Sequence, residues 1–106
     1  MLIGGGNTGP NTAVSEMEYV TIASGGNAVI FGDLNAVVDT GTYGNSGVAS
    51  PTRGVFNTGL FLNPSVSYHN LIYYVQISTQ GKAQDFGDLD GKRYGVQTAS
   101  NGHGGL

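Results

Sequence analysis

The chain is 106 residues long, with 19 glycines, no cysteine, 10% charged residues and a formal charge of −3. Its basic residues are Lys82, Lys92, Arg53 and Arg93, too few and too scattered to follow a phosphate backbone, so a nucleic-acid partner is excluded. Without cysteine, disulfides and thiolate metal sites are excluded as well.

At 39% apolar residues the chain is no charge-rich disordered tail, and the length suits one domain spanning 1–106. No stretch approaches the roughly 20 apolar residues of a membrane span. Met1-Leu2-Ile3-Gly4-Gly5-Gly6 lacks the basic flank and apolar run of a cleaved leader. The expectation is a soluble protein with no membrane partner.

In chain order, Leu2-Ile3 reads as a strand entering a Gly- and Asn-rich loop through Gly4-Gly5-Gly6 and Asn11. Val14 to Ala23 alternates as a strand, with Met17 and Tyr19 on one face and Val20 and Ile22 on the other. Ser24-Gly25-Gly26-Asn27 forms the turn, and Ala28 to Leu34 the next strand. Residues 35–45 read as irregular. Gly47-Val48-Ala49 is a short strand closed by Ser50-Pro51-Thr52-Arg53, and Gly54-Val55-Phe56 matches Leu2-Ile3. A longer loop runs through Asn63-Pro64-Ser65. Asn70 to Ser78 is rich in β-branched and aromatic residues, and Thr79-Gln80-Gly81-Lys82 turns it into Ala83 to Leu89. Tyr94 to Ala99 reads as a last short strand. Helical periodicity is lacking throughout, so the fold class is all-β.

The strongest signal is an internal repeat. Tyr19 to Leu34 and Tyr74 to Leu89 align at a constant offset of 55, with nine of sixteen positions identical. A repeat of this period marks a supersecondary unit that buries its faces by stacking on neighbours. The strand order then reads as three strands of a first unit (about 1–34) and four of a second (about 42–89). The strand near 94–99 stands ready to complete a first unit.

Tyr-Val-x-Ile-x-(Ser/Thr)-x-Gly-x-Ala-x-x-Phe-Gly-Asp-Leu, together with Ser50-Pro51-Thr52-Arg53-Gly54-Val55-Phe56, resembles the kelch-like β-propeller arrays in structural proteins of tailed, particularly marine, bacteriophages. Both units fit, so nearly the whole chain is covered. Phe31 and Phe86 stand in place of the usual kelch tryptophan, and the second double glycine becomes Thr58-Gly59. The resemblance implies a β-propeller with two kelch-like four-stranded blades per chain. A propeller has about four to eight blades, so the ring would be completed by oligomerisation, as a cyclic trimer with the tetramer as alternative. Residues near Val96 would complete the sheet begun by Leu2-Ile3 of the next copy. It further implies a non-enzymatic virion protein, a fibre, tail or capsid-associated decoration module that serves host recognition and contacts other virion proteins. A lectin-like propeller that binds cell-surface glycan is the alternative.

Candidate chemistry is sparse. Asp33 and Asp88 end the repeated Phe-Gly-Asp segments, where aspartate more simply bonds its own turn. They occupy equivalent places in different units, so no metal ligand set is assigned. His69 and His103 lack metal-ligand spacing and read as exposed loop residues. No Gly-x-Ser-x-Gly elbow is present, and the glycine run lacks the following helix of a phosphate loop. The expectation is therefore no catalytic residue, metal or cofactor. Tyr43, Tyr68, Asn63 and Arg53 are the candidate contacts for a ligand or partner, because flat aromatics beside amides grip sugars and protein surfaces. Tyr19 and Tyr74, being repeated, are expected in the core.

Overall fold

The computed structural model describes residues 1–10, 12–34, 41–57, 59–61 and 67–100. Nine strand segments follow in chain order: β1 (Leu2–Gly9), β2 (Thr12–Tyr19), β3 (Val29–Asp33), β4 (Thr42–Tyr43), β5 (Ser46–Ala49), β6 (Arg53–Asn57), β7 (Leu60–Phe61), β8 (Ser67–Gln76) and β9 (Gln84–Arg93). No helix occurs among the described residues, and every strand pairing is antiparallel. The protein is all-β.

The first sheet has the order β1-β2-β3. In the second, β4 and β5 keep one register against β7 and β6, from Thr42↔Phe61 to Ala49↔Gly54. They therefore run along one line, and β6 with β7 along the next. β8 and then β9 complete the second sheet.

The sequence repeat is a repeat of register. In the first sheet Tyr19 faces Val29, Glu18 faces Ile30 and Met17 faces Gly32. In the second, Tyr74 faces Gln84, Tyr73 faces Asp85 and Ile72 faces Gly87, each 55 residues on. Both hairpins carry a bulge at the same step, between Met17 and Glu18 and between Ile72 and Tyr73. The extra residue is Phe31 in one and Phe86 in the other. A bulge bends its strand and leaves one residue unpaired. Gly32 and Gly87, beside it, have φ of +158° and +147°, where an L side chain is strained.

Three strand expectations are corrected, the first being that β2 stops at Tyr19 and does not run on to Ala23. The Gly4-Gly5-Gly6 run is part of β1 rather than a loop. Register shifts between Gly4 and Gly6, where Gly5 has φ +64°, let the strand bend without losing its partner. Tyr94–Ala99 forms no strand in this chain. It lies beside residues 44–49, with Gly95 N–H donating to Gly44 O (3.3 Å) and a Ser46–Thr98 hydroxyl contact of 2.6 Å. Nor does it pair with Leu2-Ile3 of the same chain, whose strand β1 pairs with β2 alone among the described strands.

The two sheets share one core, formed by Met17, Phe31 and Leu34 from the first and Phe56, Tyr73, Val75 and Ala83 from the second. Met17, Tyr73 and Leu34 are fully buried. Placing these positions in the repeat shows how the sheets stack. The first sheet turns the Met17–Tyr19 face inward, whereas the second turns inward the opposite face, that of Leu71, Tyr73 and Val75. The front of one unit thus meets the back of the next. Neither sheet closes on itself within the chain.

Candidate functional site

The sheet-to-sheet junction is held at its edge by the β8–β9 turn. Gly81 N–H donates to Phe31 O (2.9 Å) and Ala83 N–H to Asp33 O (2.8 Å). Gln80 Nε2 reaches the Tyr19 hydroxyl (3.3 Å). The approach is close: a Cβ on Gly32 would lie 2.0 Å from Gly81 O. Under this turn Phe31 is 5% exposed and packs edge-on against Tyr19, centroids 6.2 Å apart. Phe86 makes the same edge contact with Tyr74 at 5.9 Å, yet no turn among the described residues covers it and it is 55% exposed. Tyr74 accordingly lies outside the core cluster, where the repeat had placed it, while Tyr19 packs against it.

The second feature is a groove of about 840 Å³ between the sheets, lined by Leu2, Tyr19 and Phe31 on one side and Val48 and Phe56 on the other. It follows the outer edge of β1. Met1 and Val20 exchange two backbone bonds, so alternation turns the backbone groups of Leu2 and Gly4 away from β2. Asn45 Nδ2 caps Gly4 O at 2.9 Å. At the matching edge of the second sheet, Val55 faces Val48 of β5. The groove therefore lies where the first sheet lacks the strand that the second possesses. Its wall is largely apolar, and at its rim the backbone groups of Leu2 turn away from β2.

Of the described candidate contacts, Arg53 lies far along the sheet from Tyr68. Arg53 opens β6, with its guanidinium 5.2 Å above the centre of the Tyr74 ring. Tyr68 sits in β8 opposite Leu60, six residues from Tyr74 and so about 20 Å away along the strand. It is exposed and stacks on Tyr94, centroids 5.3 Å apart. Tyr43 lies in β4 opposite Leu60, and its side chain is outside the described part. Asn63 lies outside the described residues, as does His103. Tyr43 and Tyr68 are thus strand rather than loop residues, because the second sheet continues past Asn57 through the short β7.

His69 is likewise corrected. It belongs to β8, half-buried, with its ring 4.1 Å from that of Phe61 and Nε2 3.0 Å from Ser67 Oγ. Burial, and then the nearby Lys92 charge, lower its pKa below the usual histidine value. Asp33 closes β3 and accepts a bond from Ser15 Oγ (3.3 Å), whereas Asp88 stands exposed within β9. Among the described residues, no three His, Asp or Glu side chains gather as metal ligands would.

Sequence reasoning missed the groove and the uncovered Phe86–Tyr74 pair. The alignment of Phe31 with Phe86 held the clue to the second, since a repeated core residue needs a repeated cover. Comparison with protein-family models, with curated proteins and with solved structures gives no match.

Proposed function

We propose that this protein is a non-enzymatic structural module of a virion, a fibre, tail or decoration protein that assembles with copies of itself into a closed β-propeller. One observation carries the reading: the β1 edge, beside an apolar groove, is shaped for one more strand. The segment that resembles β4 and β5, Tyr94-Gly95-Val96-Gln97-Thr98-Ala99, follows β9 as Tyr43-Gly44 and β5 follow β3. Gly44 and Gly95 share positive φ, +72° and +66°. A neighbour's 94–99 segment laid along β1 would give the first sheet its fourth strand and remove an exposed edge. Front-to-back stacking of the two sheets is the packing a propeller repeats around its axis. The virion assignment rests on the kelch-like phage resemblance.

Expressed in its native context, the protein should co-sediment with intact particles at a fixed copy number. Recovery only from the particle-free fraction would contradict this role. A glycan-binding reading is favoured by a separate observation, the exposed Tyr68–Tyr94 stack. It predicts sugar binding on a glycan array that Tyr68→Ala abolishes; an array without signal rejects it.

A further inference from the structure

We infer that the β9 face carrying Phe86 and Tyr74 is a docking surface for the Gly26–Ala28 turn of a second copy, in the geometry that joins the two halves of one chain. This rests on the self-assembly reading and specifies its contact. Because the halves are related front to back, each leaves one half of the junction unused. The second sheet offers Ile72, Tyr74, Phe86 and Leu89, which repeat Met17, Tyr19, Phe31 and Leu34 of the buried front. The first sheet offers the opposite side.

There, Ile3 occupies the place of Phe56, because Ile3 faces Glu18 as Phe56 faces Tyr73. Ile3 is 43% exposed and Phe56 only 8%. Ala28 repeats the buried Ala83 and is exposed, and so is every residue from Thr21 to Ile30. Ile22 is 79% exposed against 39% for its repeat Ile77. Exposed Ile22, Val29 and Ile30 in one stretch are what an unfilled interface leaves behind.

Transposing the internal bonds defines the new ones. Gly26 N–H would donate to Phe86 O and Ala28 N–H to Asp88 O, as Gly81 and Ala83 do to Phe31 and Asp33. β9 is the outermost strand of its sheet, so its outer edge faces no other strand among the described residues. On the incoming back the exposed Glu16 and Glu18 take the places of Leu71 and the buried Tyr73, and Arg53, over Tyr74 on the docking side, is the cation that must pair them. A contact of this kind is heterologous, so it propagates into a ring or a filament rather than a two-fold dimer.

The test uses two full-length variants at exposed sites, Phe86→Asp and Ala28→Asp, sized alone and mixed by sedimentation velocity. Each blocks one half of the contact. Each variant alone should be monomeric, and an equimolar mixture should form a 1:1 heterodimer that grows no further. Parent-like circular dichroism and a cooperative thermal transition establish folding, and Phe86→Ala with Ala28→Lys provide a second pair. An assembled parent whose variants also assemble, or whose mixture stays monomeric, overturns this contact while leaving self-assembly standing. A parent that is itself a folded monomer at high concentration overturns both.

Discussion

Gly32 and Gly87 are the same residue of the repeat in two surroundings, so substituting each with alanine isolates what the junction contributes. Both substitutions impose a side chain at strongly positive φ, which costs about 1 kcal/mol or more in either place. At Gly87 the new methyl meets nothing within 4 Å. At Gly32 it would stand 2.0 Å from Gly81 O and 2.4 Å from Gly81 C, both backbone atoms that cannot swing aside. The β8–β9 turn must then lift away, losing the 2.9 Å and 2.8 Å bonds to Phe31 and Asp33. Two backbone hydrogen bonds are worth about 1 kcal/mol each. Raising Phe31 from 5% exposure toward the 55% of Phe86 forfeits about 1 kcal/mol more. Gly32→Ala should therefore be less stable than Gly87→Ala by about 3 kcal/mol. Urea denaturation at concentrations low enough to keep the chain monomeric measures the difference. Equal midpoints would refute the front-to-back junction.

Other outcomes follow from single sites. Met17→Ala removes a fully buried side chain shared by both sheets and should cost about 3 kcal/mol in the same urea assay. Thr42 Oγ1 is buried without a hydrogen-bond partner among the described residues, so Thr42→Val, of nearly equal shape, should stabilise by about 1 kcal/mol, read as a higher urea midpoint. Because the folded state holds the His69 pKa below its unfolded value, the unfolded chain binds the extra proton. Stability contributed by neutral His69 is thus present above the unfolded pKa of 6.5 and falls as pH drops through it toward the folded value. His69→Gln should flatten that part of the melting-temperature profile between pH 7.5 and pH 5; an unchanged slope would show that His69 does not contribute.

The hairpins were legible because their chemistry is local. Alternating apolar residues around Met17 and Tyr19, and a Gly-rich turn before Phe31, define a hairpin wherever they occur. The bulges were not, because Gly4-Gly5-Gly6 in a paired strand looks the same in sequence as a loop. Tyr94–Ala99 has strand composition, yet in this chain it lies beside residues 44–49 without forming a strand, and composition cannot distinguish the two. Tyr68 and His69 were misplaced because β7 is only two residues long, too short to show alternation, yet it extends the sheet to them. Least legible was the difference between the two halves. Phe31 and Phe86 are identical in the repeat, and only the position of the second sheet's turn buries one and leaves the other in water.

Everything in the assembly account requires that the front of the second sheet and the back of the first be occupied by sister copies. Native mass spectrometry of the full chain at micromolar concentration counts those copies directly. The account predicts one closed species at about three times the 10.9 kDa chain mass, with little free monomer. A stably folded 10.9 kDa monomer across the concentration range would contradict it.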